Sequence, residues 1–385
     1  MKINIKSFFI TLCAVFIIRP YYVQLQSLLN LMWAYTTLVL ALICFAKARK
    51  YGNFKKDKFF YIFILLYLIA TGYSSKENIM SAISNVAQIT LAYNLGRLYK
   101  NVNYRKYIIK NVSIIISTFV YIDFLTIILG ISSRYLQLDS TISFLGYDNY
   151  AAFYIIPLIG VKLLLDYLKK NKLSKEDMFF YLICVLGKII TQSYAALIAL
   201  ILIPVWIYIL NYNKKLRNIF NVRNIIYVVI FLFIGIYFFN IQYLFSDLLG
   251  FLGKGVTLNS RTVIWKHVLS NIEKIPLWGL GCIDAEFFME FFGFPYGYNA
   301  THAHFLLLDL IIQTGVLGVL VYLRMLFNIK FKTIYMRNYG YNYAVACVLS
   351  FVLLSFFDSY PFVSTIYLLI SLIIRVNSEI KMGTK

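Results

Sequence analysis

VSIIISTFVYIDFLTIILGI, at residues 112–131, and IIYVVIFLFIGIYFFNIQY, at residues 225–243, are the stretches that decide the fold of this chain. The first has Asp123 as its only charged residue, and the second has none. Each is an apolar run of about 20 residues, the length that crosses a hydrocarbon core of roughly 30 Å. Because lipid offers the backbone no hydrogen-bond partners, both runs are predicted to be helices. The fold class that follows is an all-α, polytopic membrane protein.

The composition of the whole chain agrees with this fold class. Of its 385 residues 61% are hydrophobic and only 14% are charged, whereas about a quarter of the residues of a soluble domain are charged. A net charge of +21 would suggest nucleic acid as the partner of a soluble protein. Here the positive residues lie between apolar runs, where they set membrane topology, so no nucleic-acid partner is expected. The five scattered cysteines, without a CxxC pair, indicate neither a disulfide framework nor a metal site.

The apolar runs predict about twelve transmembrane helices and one large loop outside the cytoplasm. We place these helices near residues 7–19, 28–46, 59–73, 79–96, 109–131, 149–168, 178–191, 193–210, 224–243, 304–323, 342–357 and 360–375. The first is expected to be an uncleaved helix, because no small-residue cleavage site precedes Arg19-Pro20. The chain then divides into helices 1–9 at 1–243, an extracytoplasmic loop at 244–303 and helices 10–12 at 304–385.

The positive-inside rule fixes the orientation of these helices. With a cytoplasmic N-terminus, 28 of the 37 Lys and Arg residues fall on the inside, 7 on the outside and 2 within the membrane. This asymmetry is what the rule requires. Both termini are therefore predicted to be cytoplasmic, and the loop at 244–303 to face outward.

The stretch from about Ser246 to Gly318, which includes most of the outward loop, contains all three histidines of the chain and an amphipathic segment. Asn259-Ser260 precede residues 261–274, whose apolar side chains recur at helical spacing. This pattern predicts a capped helix lying on the outer leaflet with Trp265 at the headgroup level. Arg261 then lies in the first helical turn, where the helix dipole and the guanidinium fork favour a phosphate group. A solvated arginine on a surface helix is the alternative.

Thr301-His302-Ala303-His304 closes the loop just before the next apolar run. A His-x-His pair suggests zinc, but no cysteine or carboxylate is spaced to complete a tetrahedral site, so no metal is predicted. A histidine at a helix start beside an outward cavity is placed for proton transfer near neutral pH. Simple interfacial histidines are the alternative.

Other polar residues are weaker candidates. Asp284, Glu286 and Glu290 lie among the aromatic residues of 287–298, a mixture that suits sugars and equally suits a loop half-sunk in the membrane interface. Lys188 lies deep in an apolar run and needs a charged partner or a polar cavity, and Arg134 is either a functional charge or a solvated one. Asp123 is by default a functional candidate, with a helix-packing role as the alternative.

An ordered set of short motifs resembles the O-antigen ligase/polymerase (Wzy and WaaL-like) superfamily of bacterial glycan assembly. The set consists of Arg261-x-x-Ile264-Trp265, Pro276-x-x-Gly279-x-Gly281, His304-x10-Gly315-x-x-Gly318, Gly146-x-x-Asn149-x-x-Ala152 and Thr191-Gln192-Ser193. It covers about 100 residues. Two positions depart from the family's pattern, which has Arg where this chain has Tyr194 and Asn where it has Phe305.

The resemblance implies a metal-independent, inverting glycosyltransferase of the GT-C type in the bacterial cytoplasmic membrane, without a cofactor. Its donor would be a glycan on undecaprenyl diphosphate. Arg261 would stabilise the departing diphosphate, with Arg134 or Lys188 supplying further positive charge. His304 would be the base for the acceptor hydroxyl, with His302, Asp284, Glu286, Glu290 and Asn149 as secondary candidates. A flippase and a chain-length regulator would be pathway partners.

We interpret the chain as a repeat-unit polymerase of a capsule, exopolysaccharide or O-antigen pathway. The nearest alternative is an O-antigen ligase, which carries out the same reaction on a lipid core or another acceptor. An alternative of another class is a lipid-linked oligosaccharide flippase. Transporters favour internal repeats and helices broken at mid-membrane, and no internal repeat is visible in this sequence.

Overall fold

The computed structural model describes residues 4–52, 54–135, 137, 142–251, 260–295, 300–329 and 339–380. These residues form helices and one short antiparallel hairpin, in which β1 (Ile142–Ser143) pairs with β2 (Gly146–Tyr147). The helices are α1 Ile5–Ile17, α2 Tyr21–Leu25, α3 Ser27–Ala48, α4 Phe54–Ser74, α5 Ile79–Leu98, α6 Val102–Tyr107, α7 Ser113–Leu129, α8 Ile131–Tyr135, α9 Asp148–Lys170, α10 Lys175–Ile190, α11 Tyr194–Tyr212, α12 Lys214–Ile219, α13 Val222–Phe239, α14 Ser246–Phe251, α15 Arg261–Ser270, α16 Ala285–Phe291, α17 Leu306–Phe327, α18 Tyr339–Phe357 and α19 Ser364–Ile380.

The apolar runs of the sequence are helices, and the chain is a polytopic membrane protein. Among the described residues, eight segments are long and apolar enough to cross a membrane, namely Ser27–Tyr51, Asp57–Ser74, Val102–Leu129, Asn149–Lys170, Tyr194–Tyr212, Val222–Phe239, Leu306–Phe327 and Tyr339–Phe357. The other four predicted spans correspond to α1, α5, α10 and α19. α1 and the apolar part of α19 are shorter than the eight, so twelve crossings stay a prediction.

The last helix begins later than the sequence predicts. α19 starts at Ser364 rather than near residue 360. The reason is a turn between α18 and α19 that contains Pro361 and is closed by a 3.3 Å hydrogen bond from the Val363 nitrogen to the Tyr360 carbonyl. This turn carries Asp358, which matters for the site described below.

The helices divide into a buried centre and a lipid-facing rim. The spans of α9 and α18 are 89% and 83% buried, whereas those of α3 and α13 are 22% and 28% buried. α5 and α19 pack against each other and complete the centre. Because the rim helices expose apolar side chains, the hydrophobic surface of the bundle suits a lipid environment.

The glycines of the sequence motifs hold the loop that precedes α17 against a break in that helix. α17 is interrupted at Gly315, whose φ is 65°, a left-handed conformation that suits glycine. The carbonyls of Ile312 and Gln313 are satisfied instead by the nitrogens of Leu280 and Gly281, at 2.6 Å and 3.0 Å. A Cβ at Gly315 would clash with the chain at 277–279. A close backbone contact between the loop and α17 therefore explains the spacing of these glycines.

The same loop segment is bonded to α4 on its other side. Cys282 donates its backbone N–H to Thr71 Oγ1 at 2.9 Å, and Ser75 Oγ donates to the Leu280 carbonyl at 2.9 Å. Gly281 has no room for a side chain beside the Thr71 backbone. The loop is thus held between α4 and α17, which fixes where the following residues, including the histidines, can lie.

A buried ionic cluster joins three helices at the other end of α19. Asp57 of α4 accepts hydrogen bonds from Tyr93 Oη at 2.8 Å and from Arg375 of α19. Arg97 of α5 lies 3.4 Å from the same carboxylate, and its Nη1 donates to Asn94 Oδ1 at 2.7 Å. Arg375, Asp57 and Arg97 are 1%, 2% and 5% exposed. We call these three residues the Asp57 cluster.

Candidate active site

Two histidines share one carboxylate at the end of the bundle where α17 begins. His302 Nε2 lies 2.8 Å and His304 Nδ1 lies 3.0 Å from Asp358 Oδ1. Because an ionised carboxylate can only accept hydrogen bonds, both of these nitrogens carry a proton. When His304 is neutral, its Nε2 is therefore the basic nitrogen. We call His302, His304 and Asp358 the His–Asp cluster, and this end of the bundle the His–Asp face.

The turn that carries both histidines is held from two sides. Trp265 Nε1 donates to the Ala303 carbonyl, and the Ala303 nitrogen donates to Asp309 Oδ1, both at 2.9 Å. Ser359 Oγ donates to the other oxygen of Asp309, which ties the histidine turn to the turn of Asp358. His304 has a left-handed φ of 53°, a conformation that costs free energy for a non-glycine residue and that clusters at functional sites.

Asn149 and Ser193 extend the cluster into two further helices. Asn149, at the start of α9, directs its Nδ2 to Asp358 Oδ2 at 3.4 Å, and Ser193, just before α11, donates to Asn149 Oδ1 at 2.7 Å. Both belong to the sequence motifs that carried the family resemblance. The structure therefore brings together residues from four separate regions of the chain around one carboxylate.

The charges of the cluster stabilise one another. Burial alone would lower the pKa of His302, but its hydrogen bond to Asp358 and the charges of Asp309 and Asp358 outweigh burial, so the pKa is raised above 6.5. Burial alone would raise the pKa of Asp358, but the hydrogen bonds from His302 and His304 outweigh it and lower the pKa well below its ordinary value. Asp358 is thus an anion at neutral pH.

Arg261 lies within electrostatic range of this cluster. Burial lowers the pKa of Arg261, and the negative charge of Asp358 opposes this effect. In turn, the positive charge of Arg261 lowers the pKa of His302. Arginine is always charged in proteins, so the half-buried guanidinium places a permanent positive charge beside the histidines.

Two expectations about the helix that carries Arg261 are wrong. Trp265 does not lie at a membrane interface, because its side chain is fully buried between rings of Phe233, Phe305 and Phe356. Ser260 does not cap the helix with its side chain, because its φ of 67° is left-handed and a capping residue needs an extended backbone. Asn259 lies outside the described residues. The apolar face of α15 therefore packs against protein rather than against lipid.

No described contact joins the other predicted site residues to the His–Asp cluster. Arg134 is exposed on α8 beside Gly130, and Lys188 is 1% exposed, within electrostatic range of Asp123. Asp284 caps α16 by accepting from the Phe287 nitrogen at 2.8 Å, and this bond lowers its pKa. Glu286 and Glu290 are exposed on α16, and no described contact joins either to the histidines. Tyr296 and Tyr298 of the predicted aromatic group lie outside the described residues.

Sequence reasoning missed Asp358, Asp309 and Tyr360. Asp358 lies 54 residues after His304 in the chain, so no local spacing connects them. Two signals were available. Asp358 is the one carboxylate between the last two apolar runs, and Asp309 lies one helical turn inside an apolar run after the histidines. Intramembrane carboxylates are functional candidates by default.

The cluster also corrects the argument against a metal ion. His302, His304 and Asp358 offer three ligand atoms within 4.8 Å of one another, so a carboxylate does complete a possible set of three. In the structure the two imidazoles contact the same carboxylate oxygen at hydrogen-bond distances, which describes proton sharing within the cluster. A divalent ion would require these nitrogens to be deprotonated and to turn away from Asp358.

The fold and the site define a class of protein, namely a multi-span membrane protein with a histidine–carboxylate cluster within electrostatic range of a half-buried arginine. A comparison with protein families finds that residues 179–323, from α10 into α17, match the O-antigen ligase family (Wzy_C). This part of the chain is therefore similar to a domain of that family. Members of the family are membrane enzymes of polysaccharide biosynthesis that transfer glycans as ligases or polymerases, and their substrates are lipid-linked glycans. A search of the curated proteins finds no match.

Proposed function

We propose that this protein is a polysaccharide repeat-unit polymerase of the GT-C type. It would transfer a glycan from undecaprenyl diphosphate to the terminal sugar hydroxyl of another lipid-linked repeat unit. The observation that carries the proposal is the His304–Asp358 pair within electrostatic range of Arg261. The pair can accept a proton and the arginine can stabilise a departing diphosphate. The pair lies on turns between helices, and Arg261 is the first residue of α15.

The His304–Asp358 pair and Arg261 have separate roles in the proposed reaction. The oxygen of the acceptor hydroxyl attacks the anomeric carbon of the donor glycan, and its proton passes to His304 Nε2. The bond from that carbon to the diphosphate oxygen breaks, and the electron pair leaves with the diphosphate. Arg261 stabilises the negative charge that accumulates there. Asp358 holds His304 in the required tautomer and stabilises the imidazolium that forms. A single displacement inverts the anomeric configuration and requires no metal.

The proposed location is the bacterial cytoplasmic membrane, with the site on the outer side. The distribution of Lys and Arg supports this orientation. Twelve crossings would leave both termini in the cytoplasm and the loop 244–303 outside, between helices 1–9 and helices 10–12. Arg134, exposed on α8, would then attract anionic substrate to this side. Lys188 would instead balance the negative charge of Asp123 inside the bundle. A flippase and a chain-length regulator would be pathway partners.

An O-antigen ligase is the second candidate, because the matching family carries that description. A ligase uses the same donor and the same displacement, so the His–Asp cluster and Arg261 would act identically. The two functions differ in the acceptor alone. The polymerase needs an acceptor that itself carries a lipid diphosphate, whereas the ligase transfers a finished glycan to a lipid core or another acceptor.

The test is chain elongation by the purified protein in lipid nanodiscs supplied with one lipid-linked repeat unit. We expect the unmodified protein to give a ladder of products and Arg261→Gln to reduce the rate of elongation about a hundredfold to a thousandfold, as for loss of one donor to a developing negative charge. Lys266→Gln, an exposed change on the same helix, is the matched control and should elongate normally. Normal elongation by Arg261→Gln would reject the assignment. If a lipid core is added as a second acceptor, transfer to that core alone would identify a ligase.

A further inference from the structure

A partly polar pocket lies between α3, α5 and Arg19, which follows α1. It has a volume of about 290 Å³ and opens at the surface of the bundle. We call it the Arg19 pocket. Its polar lining comprises Arg19, Ser27, Asn30, Ser81, Ser84 and Asn85. None of these residues belongs to the His–Asp cluster, to Arg261 or to the family match.

The pocket has a polar end and an apolar end. Ser27 and Asn30 lie in the first turn of α3, and Ser81 lies in the first turn of α5, whereas Leu38 lies deeper in α3. At 1.5 Å per residue, Leu38 is about 16 Å along the helix from Ser27, which is about half of a 30 Å hydrocarbon core. A pocket that is polar at the helix ends and apolar over the depth of one leaflet fits a lipid with its head at the top.

The mouth of the pocket faces the membrane. Leu31, Tyr35 and Met80 line it and are 48%, 52% and 55% exposed. Exposed apolar side chains beside a polar recess indicate that the ligand arrives through the lipid phase. A soluble ligand would instead be expected to meet a polar rim.

Arg19 brings an uncompensated charge to this recess. Its Nη1 donates to Ser84 Oγ at 3.2 Å, and no carboxylate among the described residues pairs with it. Asn30 Oδ1 is buried without a hydrogen-bond partner in the same pocket. A guanidinium with free donors recognises phosphate oxygens, and an unsatisfied carboxamide oxygen accepts from a hydroxyl group. Together they fit the head of a phosphorylated lipid.

The Arg19 pocket and the His–Asp cluster lie on the same face of the bundle. The Ile17 carbonyl, two residues before Arg19, accepts a 2.5 Å hydrogen bond from Ser364, the first residue of α19 after the turn of Asp358. Arg19 is within electrostatic range of Tyr154, whose hydroxyl lies 3.2 Å from that of Tyr150. These contacts connect the pocket to the immediate surroundings of the candidate site.

A row of tyrosines leads from the pocket to the histidines. Tyr150 packs against Tyr360 with ring centroids 4.6 Å apart, and Tyr360 packs against His302 at 5.2 Å. Tyrosine rings with hydroxyl groups offer both apolar faces and hydrogen bonds, which is what sugars require. A glycan anchored by its phosphate at Arg19 would follow this row toward His304.

We propose that the Arg19 pocket binds the diphosphate of the acceptor lipid, while Arg261 binds the diphosphate of the donor. This proposal rests on the proposed function, because only a polymerase uses two substrates that each carry a polyprenyl diphosphate. With two separate lipid sites on one face, the acceptor glycan can extend from the Arg19 pocket to His304 while Arg261 holds the diphosphate of the donor. The pocket thereby selects a lipid-linked repeat unit over a soluble acceptor.

The test counts the lipids bound by the full-length protein in native mass spectrometry with added undecaprenyl diphosphate. We expect two bound molecules in the unmodified protein, one in Arg19→Gln, one in Arg261→Gln and none in the double variant. Lys76→Gln, an exposed change on the same face, is the matched control and should retain two. Ala34→Phe fills the pocket without touching Arg19, so it should also leave one, and it replaces Arg19→Gln if that variant fails to fold.

Elongation kinetics supply the second readout. Arg19→Gln should raise the KM for the acceptor about tenfold with little change in kcat, as for loss of a hydrogen bond to a charged group. Two bound undecaprenyl diphosphate molecules or an unchanged KM in Arg19→Gln would overturn the proposal. The proposal would also fail if Arg19→Gln lost bound phosphatidylglycerol but kept both undecaprenyl diphosphate molecules. If Arg19→Gln behaves normally while Arg261→Gln still abolishes elongation, the pocket proposal fails and the proposed function stands. If elongation is absent from the unmodified protein, the count of bound lipids still tests the pocket.

Discussion

Two of the buried ionic clusters among the described residues, the Asp57 cluster and the His–Asp cluster, lie near opposite ends of α19 and are built differently. The Asp57 cluster is closed, with its three residues at most 5% exposed and their charges covered by tyrosine and asparagine side chains. In the His–Asp cluster the side chains of His304, His302 and Asp358 are 25%, 14% and 8% exposed. Ser364 and Arg375 are about 16 Å apart along the helix. One cluster is sealed and the other is open to a ligand.

The backbone around the two clusters differs in the same way. The Asp57 cluster joins three regular helices, whereas the His–Asp cluster lies on turns and includes His304 in a left-handed conformation. Strain and partial exposure are what a site for chemistry needs, whereas a saturated buried network serves to specify helix packing. The difference teaches that burial of charge by itself does not identify an active site in this membrane protein.

The largest expected effect on activity comes from Asp358→Asn. This change keeps the shape of the side chain but removes the anion that orients His304, so we expect the rate of glycan transfer to fall about a hundredfold to ten-thousandfold, the range for loss of acid–base catalysis. The amount of inserted protein should change little. The measurement is transfer per molecule of purified protein, and a near-normal rate would remove Asp358 from the site.

Asp57→Asn should have the opposite profile. It leaves Arg97 and Arg375 without the anion that they share, and breaking a buried ion pair costs about 3–5 kcal/mol of folding free energy. We therefore expect poor accumulation and a lowered melting temperature, with a normal transfer rate in the molecules that do fold. If Asp57→Asn lost glycan transfer without losing stability, the Asp57 cluster would have a catalytic rather than a structural role, and the comparison would fail.

A smaller effect is expected in the pH dependence of stability, which distinguishes the charges of the His–Asp cluster from those of the Asp57 cluster. Because the pKa of His302 is raised in the folded protein, protonation of His302 adds to the free energy of unfolding. This contribution to stability is complete below pH 6.5 and is lost as the pH rises through the raised pKa. The lowered pKa of Asp358 makes its contribution present above about pH 3.8 and lost in acid. The difference in melting temperature between the unmodified protein and His302→Gln should therefore be largest between about pH 4 and 6.5 and shrink above it. A difference that grows at alkaline pH would contradict this assignment.

Removal of divalent ions is expected to have no effect. The proposed displacement uses Arg261 and the His–Asp cluster in place of a metal, so transfer in excess EDTA should equal transfer with added Zn²⁺ or Mg²⁺. Inhibition by EDTA that is reversed by one of these ions would instead assign His302, His304 and Asp358 as metal ligands.

Much of the fold could be predicted from the sequence, because the length and apolarity of a run decide a membrane helix almost alone. Runs such as residues 112–131 and 225–243 are helices or parts of helices as expected. The break of α17 at Gly315 could not be predicted, because it depends on a contact with the chain at 277–281 that no local pattern reveals. The predicted surface position of Trp265 was wrong for the same reason, since amphipathicity does not say whether lipid or protein covers the apolar face.

The candidate site could be predicted only where its residues lie in local motifs. His304, Arg261 and Asn149 were identified from the sequence, and the structure places them near one carboxylate. That carboxylate, Asp358, could not be found from spacing, because α17 and α18 separate it from the histidines in sequence while the fold brings it beside them. Asp284 was a misleading candidate, because a carboxylate that caps a helix has the same local pattern as one that acts on a substrate.

The most direct test of the central claim is the single-turnover rate of glycan transfer by His304→Gln with saturating lipid-linked donor and acceptor. If His304 accepts the proton of the acceptor hydroxyl, the rate should fall about a hundredfold to ten-thousandfold while the variant still binds donor lipid as the unmodified protein does. A transfer rate equal to that of the unmodified protein would contradict the account.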